Sequence, residues 1–286
     1  MTALRKTVAA SYDEATGDAI AASAANSPIL HQPATEAPSL QRGPLLKVPF
    51  YGAVDTLMLP IESLIVYESG GLTVINKPPG LQSTGRSLED SNCAQYLLMA
   101  RARRMVWAVH QIDADTSGLL VFTTKRALVP IYQQRLLTPN GQKTYLAICN
   151  GNPDWEERVV DAPIGDFNER GDYRYGVNPN GKTAKTRFRV RARAGAYCLM
   201  TAELFTGRTH QIRVHLQHEG LTLVGENRYI DTPCGGHHRQ ALHAWRLRFS
   251  DGEEPSGFDA PLPQDLSELA ARLGLEVNPS AWDDLT

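Results

Sequence analysis

The sequence has only four cysteines, and no two of them form a Cys-x-x-Cys pair. Cys93, Cys149, Cys198 and Cys234 are too widely spaced for a recognisable zinc site or for the disulfide framework of a small secreted domain. We therefore expect reduced, mostly buried thiols and no structural metal.

The sequence also lacks a long hydrophobic run. Hydrophobic residues make up 42% of the 286 positions, so a substantial core can form, but no apolar segment approaches the roughly 20 residues that cross a bilayer. The first residues carry acidic side chains and have no compact apolar stretch before a small-residue cleavage site, unlike a secretory signal. These absences predict a soluble, cytoplasmic protein with no membrane partner.

There is little net charge, but the charge is unevenly distributed. The net charge is −2. Residues 251–286 contain nine Asp/Glu and a single basic residue, Arg272, whereas residues 51–250 contain 24 Lys/Arg and 18 Asp/Glu. A moderately basic body suits a phosphate-bearing partner, although many unrelated domains have the same charge. Charge therefore permits an RNA partner without establishing one.

Composition divides the chain into three parts. Residues 1–45 are rich in Ala, Ser, Thr and Pro and show no apolar period, so they cannot bury enough surface to offset the entropy of ordering and are predicted to be disordered. Residues 46–262 contain recurring apolar segments, which predict one folded domain. Residues 263–286 begin with QDLSELAARLGLEV, which predicts an acidic, amphipathic C-terminal helix and tail.

Alternating apolar and polar residues predict a strand-rich α+β domain. SLIVYESGGLTVINKPPG reads as a hairpin, and further strands are predicted in VWAVHQI, GLLVFTT, TYLAICNG, KTRFRVRAR, AYCLMTAELF and ALHAWRLRF. Helices are predicted in NCAQYLLMARARR, ALVPIYQQRLL and THQIRVHLQHEG. Together, these strands and helices predict a mixed or antiparallel sheet with flanking helices.

The first segment that could carry chemistry is VHQIDADTSGLLVF, a short polar loop between two apolar strands. Its two carboxylates, Asp113 and Asp115, would share one side of an extended loop but would be separated by a tight turn. Loops between buried strands often hold catalytic groups. Taken alone, however, Asp and Ser before Gly are the ordinary residues of a structural turn.

The second segment is FTGRTHQIRVHLQHEG, which concentrates basic residues at the start of a predicted helix. Arg208 and Arg213 could bind phosphate there, because guanidinium groups and helix N-termini both suit anions. His210, His215 and His218 could bind a metal, but their spacings of five and three do not match a His-x-x-x-His pair. A solvated basic helix is the simplest alternative.

In combination, seven segments in the same order resemble the RluA family of pseudouridine synthases, from about Ile61 to Ser250. The segments are NKPPG, HQIDADTSGLLVF, KTYLAICNG, GKTAKTRFRV, GRTHQIRVH, LVGENRY and LHAWRLRF. The resemblance implies an RNA-modifying enzyme that isomerises uridine to pseudouridine at a specific site in structured ribosomal or transfer RNA. It also implies a cleft-bearing α+β catalytic domain in residues 46–262, base flipping, no cofactor and no metal, and we expect a monomer.

The resemblance assigns roles to individual residues. Asp113 aligns with the essential carboxylate, which acts either as a nucleophile or as the base that removes a ribose proton. Arg213 is expected to pair with Asp113, and Tyr145 is expected to stack on uracil. These three are the predicted catalytic residues. The predicted RNA-binding residues are Lys77, His110, Gln111, Thr116, Lys182, Arg208 and His210, with Lys185 and Arg187 as further candidates for phosphate contact.

One position departs from the family. The motif has Arg after its His, where this chain has Gln111, which can fill space and form hydrogen bonds but carries no charge. The substitution motivates an alternative, a catalytically idle RNA-binding protein of the same fold. A zinc hydrolase using the histidines above, or His237 and His238 near Cys234, is a second alternative.

Overall fold

The computed structural model describes residues 45–48, 57–137, 141–169, 172–230, 235–249 and 255–285. Those residues belong to one compact unit, Arg42–Thr286. The segment predicted to be disordered, 1–45, lies outside the described residues except for Leu45, and so does Cys234. The other three cysteines are free and buried, as predicted.

The described residues form fifteen strands and four α-helices. The strands are β1 Leu45–Val48, β2 Leu57–Pro60, β3 Ile65–Ser69, β4 Leu72–Lys77, β5 Trp107–Ala108, β6 Ser117–Thr123, β7 Gln142–Asn150, β8 Glu157–Asp161, β9 Ile164–Glu169, β10 Asp172–Val177, β11 Lys185–Ala194, β12 Tyr197–Leu204, β13 Thr222–Leu223, β14 Leu242–Arg248 and β15 Gly257–Asp259. The helices are α1 Ala94–Ala102, α2 Val129–Arg135, α3 Gln211–His218 and α4 Gln264–Arg272, with 3-10 turns at Ile61–Leu64, Arg126–Leu128 and Pro279–Leu285.

Eleven of the strands form one mixed sheet. Its main path runs β3-β4-β6-β14-β7-β12-β11-β8, and the short strands β5, β13 and β15 pair with β6, β7 and β14. β14 lies parallel to β6 at His243 and Ala244, and the other pairings in this sheet are antiparallel. β1-β2 and β9-β10 form separate two-stranded sheets. The predicted α+β class, with a mixed sheet and flanking helices, is confirmed.

β7 sits at the middle of this sheet and contributes to a core on each face. Tyr145 and Ala147 belong to one apolar cluster, which includes the buried side of α3. Leu146 and Ile148 point the other way, as alternation in a strand requires, and pack in a second cluster with the buried residues of α4. The predicted amphipathic C-terminal helix therefore packs on the face of the sheet opposite α3.

Several stretches differ from the predicted strands, among them β1, β2, β9, β10, β13 and β15, which were not predicted. The segment VWAVHQI pairs as a strand only at Trp107 and Ala108, because the chain beyond them turns into a polar loop. β8 was not anticipated, since its sequence ERVVD buries only Val160; most of its other side chains face solvent, so the alternation is weak. No helix among the described residues is long and apolar enough to cross a membrane.

Candidate active site

A cavity of about 600 Å³ opens beside β7 and the start of α3. It brings together segments that lie as far apart in the sequence as Ala108 and Leu242. Its lining includes Ala108, Val109, His110, Gln111, Ile112, Asp113, Thr116, Gln133, Leu136, Leu137, Lys143, Tyr145, Leu204, Gly207, Arg208, Thr209, His210, Gln211, Ile212, Arg213 and Leu242. All three predicted catalytic residues and five of the seven predicted RNA-binding residues lie in this wall.

A tight turn decides which of the two loop carboxylates reaches the cavity. The backbone N–H of Thr116 donates to the carbonyl of Asp113 at 3.1 Å, closing the turn. Asp113 and Thr116 line the cavity, and Asp115 does not. The turn thus separates the two acids and selects Asp113.

A second loop holds this turn in place through a buried lysine. The Lys77 ammonium donates to the carbonyls of Ala114 and Leu81, both at 2.7 Å, and of Pro78 at 3.0 Å. Burial is the main cause that lowers the pKa of Lys77 to about 7. Lys77 has no exposed surface, so it cannot make the RNA contact predicted for it in this conformation; it positions the catalytic loop instead.

Asp113 is fixed by two donors on one of its oxygens. Its Oδ2 accepts hydrogen bonds from Nη1 of Arg213 and from Nε2 of Gln240, each at 3.0 Å. The same Gln240 nitrogen donates to the Thr116 hydroxyl at 2.8 Å. The Asp113 side chain keeps 25% exposure, so one edge of the carboxylate remains open to the cavity.

Arg213 lies between two carboxylates. Besides Asp113, it contacts Glu226 through two hydrogen bonds, Nε to Oε2 at 2.8 Å and Nη2 to Oε1 at 2.7 Å. Burial alone would raise the pKa of Glu226, but the hydrogen bonds and the charge of Arg213 outweigh burial and hold this pKa below its ordinary value. The backbone N–H groups of Arg228 and Tyr229 also donate to Glu226. Glu226 therefore fixes the guanidinium that faces Asp113.

Two aromatic side chains line the same space in neutral form. Tyr145 is buried, and burial together with the Asp113 charge raises its pKa far above the ordinary value, so its phenol stays protonated. His210 Nδ1 is hydrogen-bonded to the Tyr229 hydroxyl at 2.5 Å, and its Nε2 lies 3.8 Å from Oδ1 of Asp113. The pKa of His210 is lowered, mainly by burial and also by Arg213.

The predicted RNA-binding residues divide between the cavity and the outer surface. Gln111 is exposed and lines both this cavity and a smaller one beside it. Arg208 lines the cavity while its Nε donates to the Thr183 carbonyl at 2.8 Å. Lys182 is exposed and lies outside the cavity wall. Lys185 and Arg187 are also outside it, ion-paired with Asp161 and Glu203.

The histidines considered for a metal fall into two places in the structure, one around His215 and one at His237 and His238. Both ring nitrogens of His215 are engaged, Nδ1 with the Thr186 hydroxyl at 2.9 Å and Nε2 with the Ala162 carbonyl at 3.0 Å. Within the described part of the chain, three ligand atoms approach one another only at His237, His238 and Asp265. Asp265, however, is bound by the buried Arg239 at 2.6 Å, whose positive charge opposes a cation. The predicted absence of a metal remains a prediction.

The sequence interpretation missed three residues of this site: Lys143, Glu226 and Gln240. Each lies inside or beside a quoted motif, KTYLAICNG, LVGENRY or the residues preceding LHAWRLRF. Burial and pairing across the fold give them their roles, and neither can be read from a local pattern.

Comparisons with known proteins bear on the family and the fold of this chain. Residues 71–218 match the family model of RNA pseudouridylate synthases. Ribosomal large subunit pseudouridine synthase C of Vibrio vulnificus is 35% identical over 224 residues, which cover 74% of this chain and 70% of that protein. An uncharacterised RNA pseudouridine synthase of Bacillus subtilis is 34% identical over 238 residues, 79% of this chain and 78% of that protein. The structure of human RNA pseudouridylate synthase domain containing 4 has the same fold, with a TM-score of 0.61 at 22% identity, covering 76% of this chain and 96% of that chain.

Proposed function

Because this chain belongs to the RluA family of RNA pseudouridine synthases and isomerises uridine to pseudouridine in RNA, we propose that Asp113 performs this reaction on RNA of the large ribosomal subunit. The observation that carries the catalytic assignment is the line of charges from Asp113 through Arg213 to Glu226. The choice of RNA rests on relatives from Vibrio and Escherichia coli that are named for the large ribosomal subunit.

The reaction requires a carboxylate beside the ribose. The bond from C1′ of the ribose to N1 of uracil breaks, the base rotates, and C1′ bonds to C5; the proton on C5 is lost and N1 gains one, so no atom is added or removed. Asp113 acts either as a nucleophile or by removing a ribose proton, and both routes need it ionised. Arg213 favours the ionised form, because an adjacent positive charge stabilises a carboxylate.

The target uridine has to leave its helix to reach Asp113. Flipping a nucleotide costs roughly a few kcal/mol, and least in loops and bulges. Tyr145 lines the cavity as a flat, protonated ring, which suits stacking against the detached uracil.

The remaining parts of the proposal follow from this chemistry. An isomerisation has no redox or hydrolytic step that calls for a cofactor or a metal, so we propose that the enzyme uses neither. We further propose that it acts as a monomer, in the cytoplasm where bacterial ribosomal RNA is found.

Asp113→Asn tests the catalytic assignment, with Asp115→Asn as the matched control two residues away. Both purified variants and the wild type are incubated with 23S ribosomal RNA transcribed without modifications, and pseudouridine is mapped. Asp113→Asn should retain less than roughly one thousandth of the wild-type rate, as expected when an essential group is removed. Asp115→Asn should stay within a few fold of wild type, because Asp115 does not line the cavity.

Three outcomes would contradict the proposal. Appreciable turnover by folded Asp113→Asn would remove its catalytic role. Modification of transfer RNA, with none on ribosomal RNA, would replace the substrate. RNA binding by the wild type without modification of any cellular RNA would favour the idle RNA-binding protein.

A further inference from the structure

The described residues include four buried cations: Lys77, Lys143, Arg213 and Arg239. Three of them have partners within the protein. Lys77 donates to three carbonyls, Arg213 contacts two carboxylates, and Arg239 contacts Asp265. Lys143 forms no hydrogen bond or ion pair in the part of the chain that the structure describes, although only 6% of it is exposed.

An unpaired buried ammonium is unfavourable for folding, since burial removes its hydration without replacing it. Burial accordingly lowers the pKa of Lys143 to about 8. Protein interiors rarely keep such a group without a purpose, and Lys143 lies in the wall of the catalytic cavity rather than in the apolar core. Its missing partner is therefore expected to come from a ligand.

The position of Lys143 indicates what that ligand is. Lys143 and Tyr145 are two residues apart on β7, so both face the cavity and their backbones are separated by roughly 7 Å. A nucleotide likewise joins its base to phosphate through a single ribose, so these two parts of the ligand are also neighbours. A uracil stacked on Tyr145 would then place an adjoining phosphate near Lys143.

The surroundings of the ammonium are suited to an anion. A side chain at position 207 would begin 3.5 Å from the Lys143 nitrogen, so Gly207 leaves that approach open. Arg208, the next residue, contributes a second positive charge to the cavity wall. His110 Nε2 is buried in the same wall without a hydrogen-bond partner among the described residues. Uracil is neutral, whereas a phosphate carries the negative charge that would pair with the Lys143 ammonium.

We propose that Lys143 binds a phosphate group of the RNA backbone adjoining the flipped uridine. The proposal rests on the proposed function, because it takes the uridine to enter this cavity beside Tyr145. Lys143 would thus determine how the nucleotide is seated, in addition to the residues that act on the ribose.

Small probes test this phosphate contact without requiring turnover. Binding of uridine, uridine 3′-monophosphate and uridine 5′-monophosphate is measured by NMR titration on wild type, Lys143→Met, Lys143→Arg and Lys125→Met. Lys125 is an exposed lysine outside the cavity and is the matched control. At least one monophosphate should bind wild type about tenfold tighter than uridine, the advantage expected of a charge-assisted contact, and the two monophosphates identify which phosphate is held.

The variants decide whether Lys143 is responsible. Lys143→Met should lose the tenfold advantage while binding uridine as wild type does, Lys143→Arg should recover part of it, and Lys125→Met should keep all of it. Equal binding of the three compounds by wild type, no binding of any of them, persistence of the advantage in Lys143→Met or its loss in Lys125→Met would each overturn the proposal. Failure of the Asp113 assignment appears separately, as turnover by Asp113→Asn with the phosphate advantage intact.

Discussion

Arg213 and Lys143 are both buried cations in one cavity wall, yet they differ in what surrounds them. Arg213 is bound by Glu226 on one side and Asp113 on the other. Lys143 has no partner in the described part of the chain. Arg213 is thus held in place by carboxylates of the fold, whereas the proposed partner of Lys143 is a phosphate of the RNA.

The largest effect should come from breaking the ion pair between Arg213 and Glu226. Glu226→Gln removes the charge that anchors Arg213 and leaves a buried guanidinium only partly compensated. Breaking a buried ion pair typically costs about 3–5 kcal/mol, which for a domain of this size lowers Tm by roughly 10 °C. Calorimetry of wild type and variant measures this loss. Activity should fall as well, because Arg213 would no longer be oriented toward Asp113.

The control for that experiment is Glu203→Gln. Glu203 pairs with Arg187 at 3.0 Å, but the Arg187 side chain is 31% exposed, so the same substitution should cost less than about 1 kcal/mol. An equal loss of stability in both variants would mean that burial does not distinguish the Arg213 pair from a pair near the surface.

Replacing Lys143, which has no partner among the described residues, should raise the stability of the protein rather than lower it. Lys143→Met keeps the length of the side chain and removes an uncompensated charge, so the variant should be more stable than wild type by about 1–3 kcal/mol at pH 7 while losing the phosphate contact. Denaturant unfolding measures the difference. A clearly less stable Lys143→Met would show that the ammonium supports the fold.

The pH dependence of that difference follows from the lowered pKa of Lys143. Its pKa is about 8 in the folded protein and 10.5 ordinarily, so the unfolded chain binds more protons between these values and wild-type stability rises with pH across that window. The advantage of Lys143→Met is therefore complete below pH 8 and disappears as pH approaches 10.5. Lys77 titrates in the same direction, but its contribution is common to both proteins and cancels. A constant difference from pH 7 to 10.5 would contradict the assignment.

The smallest effect is expected from substituting Gln111, an exposed residue of the cavity wall. Gln111 is neutral and exposed, where the family motif has Arg. Gln111→Arg adds one cation at the mouth of the cavity, so RNA binding should stay unchanged or tighten by up to about 1 kcal/mol, and its dependence on salt should steepen by about one released counterion. Filter binding at several salt concentrations measures both. A large loss of activity would give Gln111 a specific role of its own.

Sequence patterns predicted the fold class and the residues whose chemistry is visible locally. The strands β11, β12 and β14 and the helix α3 lie where the patterns placed them, but β12, β14 and α3 are buried on more than the one face that was expected. β8 was not predicted, because all of its side chains except Val160 are exposed and the apolar alternation is weak. The Asp113 to Arg213 pairing came from the family resemblance, since residues one hundred positions apart share no local signal.

The same reasoning explains the errors at the site. Lys77 was predicted to contact RNA because its segment, NKPPG, resembles a segment of the family. The three carbonyls that surround its ammonium come from two loops, which no local pattern brings together. Glu226 and Gln240 were overlooked because their partners, Arg213 and Asp113, are identified by distance in space.

The order of the chain adds a constraint on when the enzyme can work. Asp113 receives its two donors from Arg213 and Gln240, which are synthesised 100 and 127 residues later. A growing polypeptide therefore exposes its key acid long before the guanidinium and the amide that orient it have left the ribosome. The orientation of Asp113 by these two donors therefore forms only once residues 213 and 240 have been made and have folded against residue 113.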